Sequence, residues 1–253
     1  SPLNDRLGGR VLARSMRLVD DPRVVEVDGT RLYGGYQVDD EGVPSSETTV
    51  AERGILKALV ASRSPARGVP ATTGNRRGAG ALPSNLILST SEGRSQEELL
   101  EEVFQLMEER ELDFAVIIRR IANPLLVSGF EPRGGSNASQ ASDGAVAGVV
   151  EAVKVYRDGR EEPLRDPRFS GFSATSFRDI VAASDTRTVY SAPMRPEQAG
   201  VALLSSGTLG SALAGPPVVS VAVPDLLFEE LTIAIPVEPV PRSPVIPHPY
   251  FAD

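Results

Sequence analysis

Cysteine and tryptophan are absent, and histidine occurs once, as His248. Without thiols the chain has no disulfide, no thiolate nucleophile, no cysteine-ligated zinc and no iron–sulfur cluster. One imidazole also excludes any site that needs two histidines from this chain. Aromatic residues make up 5%, which points to cores of aliphatic, β-branched and small side chains. No apolar run reaches the ~18 residues of a membrane span, and no basic-plus-apolar leader opens the sequence. The lack of cysteine allows a cytoplasmic location, which is favoured without being fixed.

What is present is acidic and rich in turn formers. Lys+Arg 26 against Asp+Glu 34 gives a net charge of −8 over 253 residues. That balance argues against direct nucleic-acid or anionic-membrane binding, because neutralising phosphates takes a cationic face. Lys57 and Lys154 are the only lysines, so almost every cation is an arginine. Gly 23 and Pro 21 imply many turns. A chain of this length buries enough surface to fold without covalent staples. No internal repeat is visible, and residues 1–235 read as one domain followed by a proline-rich extended tail over 236–253.

The expected fold class is α+β, β-rich with antiparallel or mixed sheets, one long helix near 95–110 and a short helix near 174–183. Residues 7–22 read as a strand-rich entry closed by an Asp20-Asp21-Pro22 turn. Thr48–Val50 and Ile55–Val60 flank Glu52-Arg53-Gly54 as a hairpin, and 149–156 with 161–164 flank Asp158-Gly159 as a second. Asn85–Ser89 reads as a strand. Ser95 with Glu98 three residues later is a capping box, followed by Leu99, Leu100, Val103, Phe104, Leu106 and Met107 at helical spacing. Ala115–Ile118 reads as a buried strand, and Ser173 as the cap of a short helix carrying Phe177, Ile180 and Val181. Late strands are expected over 218–223 and 228–235, around Pro224-Asp225. Residues 123–148 and 200–215 read as loops.

Few residues are equipped for chemistry. His248 lies between two prolines in the tail, with nothing to orient it as a base. Asp20/Asp21 and Asp39/Asp40/Glu41 suit acid–base work only if a pocket separates their pKa values. Beside glycine and proline they read first as turn residues. The long loop from Arg63 to Arg77, ending Thr73-Gly74-Asn75-Arg76-Arg77-Gly78, either holds a carboxylate or phosphate or is a structural loop paired with the chain's acids. Asn137-Ala138-Ser139 fits the glycosylation pattern, which is common by chance.

Several of these segments, in order, resemble the TldD/PmbA family, which is named for modulation of DNA gyrase and comprises zinc metallopeptidases and their partners. Asp20-Asp21-Pro22 followed by Asp39-Asp40-Glu41-Gly42-Val43-Pro44 is similar to the family's D-D-P…D-D-E-G-x-P. Gly54-Ile55-Leu56-Lys57 resembles its G-x-L-K hairpin, Ser64-Pro65-Ala66-Arg67 its S-A-R stretch, and Thr73–Arg77 its T-G-N-x-R loop. Leu226–Leu231 resembles a late strand of a TldD-related branch. The likeness covers the family's C-terminal half. Catalytic members carry H-E-x-x-x-H before this region and a later cysteine. None of these stands here, and Ser205, Ser206, Leu209 and Ser211 occupy the stretch where that cysteine is expected.

The resemblance implies a C-terminal domain of a metallopeptidase system acting on peptides or unfolded segments, inactive by itself. Zinc is expected only if a missing N-terminal half supplies ligands. A noncatalytic partner subunit and a plain interaction domain remain alternatives. Peptide or unfolded protein, and a homo- or hetero-oligomer with a family paralogue, are the implied partners, without nucleic acid or membrane. Asp39, Asp40, Glu41 and Gly42 are expected as a structural motif, and Asn75, Arg76 and Arg77 as substrate or partner contacts. No catalytic residue and no metal ligand is assigned.

Overall fold

A computed structural model describes residues 4–64, 71–78, 80–121, 149–165, 167–170, 172–173, 175–193 and 217–234. Among the described residues, sixteen strands and one α-helix occur in this order: β1 Met16–Asp20, β2 Glu26–Val27, β3 Thr30–Arg31, β4 Thr48–Glu52, β5 Ile55–Leu56, β6 Arg76–Arg77, β7 Gly80–Ala81, β8 Asn85–Thr90, β9 Gly93–Arg94, α1 Gln96–Glu109, β10 Phe114–Ile121, β11 Val149–Tyr156, β12 Glu161–Pro163, β13 Arg168–Ser170, β14 Ile180–Pro193, β15 Val218–Phe228 and β16 Thr232–Ala234. The α+β class with mixed sheets is what the structure has.

Seven strands form the main sheet in the order β5-β4-β1-β8-β15-β14-β9. Its pairs are antiparallel except β15 with β8 and β14 with β9. Successive side chains of a strand face opposite sides, and the two sides carry separate cores. Leu88 and Val223 join Leu12, Met16, Ala51, Ile180 and Ala183 on one side. Ile87 and Ala222 join Val27 and Leu32 on the other. With no tryptophan to fill space, Met16, Leu56 and Met107 are the largest apolar side chains buried completely, each contributing roughly 2–3 kcal/mol. Four of the few phenylalanines, Phe169, Phe172, Phe177 and Phe228, stack on one another with ring centroids 4.9–6.0 Å apart.

Local chemistry explains the element ends. The Ser95 hydroxyl accepts from the Glu98 amide at 3.2 Å while the Ser95 amide donates to Glu98 Oε2 at 2.8 Å, so the capping box is complete. Helix α1 packs on β14, β9 and β10. Its ends are tied down by Gln96 Nε2 donating to Asp225 Oδ2 at 2.7 Å and by an Arg110–Glu229 ion pair. Arg53 and Gly54, at φ 49° and 73°, make the tight two-residue turn between β4 and β5. The hairpin of β11 and β12 turns at Gly159, φ 80°.

Four expectations change. Near 174–183 there is only a 3-10 turn over Ser176–Asp179, and Ile180 and Val181 open the long strand β14. Val181 is exposed and Ile180 buried, the alternation of a sheet rather than a helical face. Ser173 Oγ accepts from the Thr175 amide instead of capping a helix. Pro224-Asp225 does not break the chain, because β15 runs through it. Pro224 sits opposite Arg187 beside a register shift, where a missing donor is tolerated. Ala115–Ile118 are half-buried, on β10 of a three-stranded sheet in the order β10-β11-β12. The loops expected at 123–148 and 200–215, Asn137, and the tail with His248 lie outside the described residues.

The β4–β5 turn gives a direct test. A Cβ on Gly54 would lie 2.4 Å from the Leu12 carbonyl oxygen, whereas one on Gly159 meets nothing within 4 Å. Gly54→Ala should cost on the order of 3 kcal/mol, and Gly159→Ala about 1 kcal/mol for its left-handed backbone alone. Equal urea midpoints for the two variants would contradict this packing.

Candidate functional site

Strand β1 ends in an acid that water does not reach. Asp20 is fully buried, as are Ser84, Asn75 and Asn85 around it. Its Oδ1 accepts from the Ser84 amide at 2.6 Å and from Ser84 Oγ at 2.8 Å, and its Oδ2 accepts from Asn75 Nδ2 at 2.6 Å. Burial pushes the Asp20 carboxyl above its ordinary range, against these three donors, which favour the charged form. Asn75 is saturated in turn: Nδ2 also reaches the Leu82 carbonyl at 3.3 Å, and Oδ1 accepts from Thr73 Oγ1 at 2.6 Å. Beside this hub the Tyr36 hydroxyl donates to the Gly74 carbonyl at 2.7 Å, and Arg77 lies over the Tyr36 ring, 5.1 Å from its centroid.

The second acidic motif grips the same loop. Asp39 Oδ1 accepts from the amides of Glu41 at 2.9 Å and Val43 at 2.8 Å, and its Oδ2 accepts from the Arg76 amide at 3.0 Å. Burial would raise Asp39, but the amides of Val43, Arg76 and Glu41 outweigh it and hold the carboxyl below its ordinary range. The Asp40 amide donates to the Arg76 carbonyl, and its Oδ2 takes the Gly78 amide at 2.5 Å. Glu41 Oε2 accepts from the Arg63 amide at 2.7 Å. Gly42, at φ 76°, closes the turn. The acids are spent on backbone donors, which is turn chemistry rather than acid–base chemistry.

The three arginine-loop residues therefore fare differently. Asn75 is sealed inside the domain. Arg77, half-buried on Tyr36, donates through Nη1 to the Pro83 carbonyl at 2.9 Å. Burial lowers its pKa, opposed by Tyr36, Asp20 and Asp40. Arg76 reaches the Gly78 carbonyl through Nε at 2.9 Å. Sequence reasoning missed Ser84, Asn85, Tyr36 and Ser220. Asn85 Oδ1 and Ser220 Oγ both accept from the Gly34 amide, at 3.0 and 3.1 Å. A signal existed in the Gly34-Gly35 pair, since a Cβ on Gly34 would fall 2.1 Å from the Ser84 carbonyl oxygen.

Of residues 1–235, all match the model of the PmbA/TldA metallopeptidase C-terminal domain. The chain belongs to this family. A metalloprotease of Methanothermobacter thermautotrophicus is 32% identical over 185 residues, 71% of this chain and 35% of that protein. One of Archaeoglobus fulgidus is 34% identical over 105 residues, 40% of this chain and 23% of that protein. The matched part thus spans about a quarter to a third of these relatives' length. Among solved structures, a Thermotoga maritima protein named for modulation of a DNA gyrase has a TM-score of 0.60 at 24% identity, covering 92% of this chain and 42% of its own. TldE of Thermococcus kodakarensis has 0.57 at 19%, covering 92% and 43%. Both share the fold.

The zinc that the TldD/PmbA resemblance implies does not fit the residues of this chain. It offers one histidine and no cysteine. Among the described residues no three acidic or histidine side chains converge. A tetrahedral site of nitrogen and sulfur ligands cannot be drawn from that set.

Two outcomes follow. Asn75→Ala, which strands the Asp20 carboxylate, should cost about 2–4 kcal/mol, and Arg76→Ala less than about 0.5 kcal/mol, by urea unfolding. For Asp39 the folded pKa is depressed, so its contribution is present above the unfolded value and lost as pH falls through the folded one. The stability gap between wild type and Asp39→Asn should therefore narrow below about pH 4. A gap that is flat into strong acid contradicts the assignment.

Proposed function

We propose that this domain serves a metallopeptidase system that acts on peptides or unfolded protein segments, and that the chain does not hydrolyse peptides by itself. The observation that carries the reading is the division of labour in its own residues. Its acidic motifs are consumed by donors within the chain, Asp20 by Ser84 and Asn75, Asp21 by Arg23, and Asp39 by backbone amides, while its composition offers one histidine and no cysteine. The family's metal ligands then come from outside residues 1–253, on another segment or on a partner chain, and no hydrolytic step belongs to the residues described here. The same composition supports a second reading, a noncatalytic subunit that assembles with an active paralogue.

Peptide handling is supported by strand β10. Among the described residues it is hydrogen-bonded only to β11, so its other edge offers main-chain donors and acceptors to an extended segment. Of the three loop residues, Arg76 suits a substrate or neighbour contact best, because only its Nε is engaged. Any effect on gyrase runs through protein turnover in this reading, since a −8 chain is a poor DNA ligand.

The test is zinc content and peptide hydrolysis of the purified 253-residue chain. Metal well below one equivalent and no turnover are expected; stoichiometric zinc with turnover would overturn the proposal.

A further inference from the structure

One guanidinium of the domain is left unpaired at an atom that water does not reach. Arg178 stands on the 3-10 turn Ser176–Asp179 and is half-buried. Its Nε is buried and donates to nothing, the one side-chain nitrogen or oxygen among the described residues in that position. A buried donor without an acceptor is destabilising, and such an orphan calls for an acceptor from outside the chain. Among the described residues no ion pair satisfies its charge either, although Asp+Glu number 34 against 26 Lys+Arg.

The surroundings of Arg178 share its sign. The Ala13 amide donates to the Phe177 carbonyl at 3.0 Å, so Arg14 and Arg178 each follow one member of a backbone hydrogen bond. A Cβ on Gly54 would lie 2.4 Å from the Leu12 carbonyl oxygen and 2.7 Å from that of Ala13, so Arg53 borders the same point. Arg10 and Lys57 extend the group along β5, where Arg10 is bridged to Ile55. Arg10, Arg14, Arg53 and Lys57 are exposed, and among the described residues none of them forms an ion pair. Glu52, the acid next to Arg53, is held by Arg17 Nε at 2.9 Å, and Asp179, next to Arg178, forms no ion pair among the described residues. In a chain where acids outnumber cations, a group of cations that pairs with none of them is a surface kept open for an external anion.

We propose that this surface binds acidic polypeptide segments, extended stretches that carry several aspartates or glutamates, with a carboxylate accepting from Arg178 Nε. A guanidinium fork matches a carboxylate through two parallel bonds, and arginine clusters are a recurring means of recognising acidic motifs. A flexible segment can confine its charges to this small surface. A long, stiff polyanion such as nucleic acid also meets the rest of the chain, which is more acidic still than the net −8, and is repelled. The proposal deepens the functional reading above by naming the charge of the segments handled. It rests on that reading for what becomes of them, not for their binding.

Fluorescence anisotropy of a labelled Gly-Glu repeat peptide against the 253-residue chain tests it, with a Gly-Gln repeat as the uncharged match. The chain should bind the Gly-Glu repeat at low salt, release it as salt rises, and leave the Gly-Gln repeat free. Arg178→Met, which keeps the apolar stem and removes the orphaned donor, should weaken binding about tenfold and leave the urea midpoint unchanged or higher. Arg14→Glu with Arg53→Glu, both exposed, should weaken it about tenfold or more. Equal affinity for the two peptides, or wild-type affinity in either variant, overturns the proposal. So does a lower urea midpoint for Arg178→Met, because the guanidinium is then structural. Retention on heparin without affinity for the Gly-Glu repeat overturns it too, and gives the surface to a sulfate- or phosphate-bearing ligand. Cleavage of the peptide by the chain alone contradicts the functional reading instead, while the affinities still decide the site.

Discussion

Asp20 is a carboxylate fixed where no water can solvate it, and the arrangement of the domain's loops depends on it. Three donors from Ser84 and Asn75 converge on its two oxygens. The donors belong to two separate stretches of chain, so one charge ties strand β1 to the loop over 73–75 and to the start of β8. An unpaired charge in that position costs several kcal/mol, which makes the donors obligatory. Asp39 repeats the device at the next turn, with backbone amides as donors, and joins the acidic loop to Arg76. The two acids form one scaffold around Tyr36 and Gly74.

This arrangement changes what the shared motifs mean. Motifs that mark a peptidase family invite a catalytic interpretation. Here Asp20, Asp21 and Asp39 are held by donors of the chain itself, and Asp40 and Glu41 take the Gly78 and Arg63 amides. Two depressions of the surface, one beside Arg94–Gln105 and one along Arg119–Leu164, are lined by other residues. Family membership and the proposed lack of a self-contained reaction are therefore compatible. Among the described residues strand β10 has one edge without a strand partner, which suits the domain to being held against something else.

Much of this was legible in the sequence. The capping box at Ser95 and Glu98, the turn at Arg53-Gly54 and the acidic loop depend on contacts a few residues apart, and local chemistry determined them. What depended on distant partners was not. Pro224 looked like a strand end because its missing donor is visible in sequence, while the register shift that accommodates it comes from β14, some 40 positions away. Ile180 and Val181 suited a helix until β15 gave them a sheet to join. Asn75 looked like a loop contact because nothing local shows that Asp20, 55 residues earlier, seals it inside. The Gly34-Gly35 pair marked a close approach, but nothing local named Ser84 and Ser220 as its partners, since a buried serine is defined only by what surrounds it.

Native-state amide hydrogen exchange at Ser84 and Arg76 tests the scaffold most directly. Both amides donate to buried carboxylates, although Ser84 immediately precedes β8 and Arg76 lies on a two-residue strand. If the acids hold the fold, these two amides exchange as slowly as the core of β1 and β8, through global unfolding. Exchange at the rate of an exposed loop would show that the carboxylates are free for other work, and the account would fail.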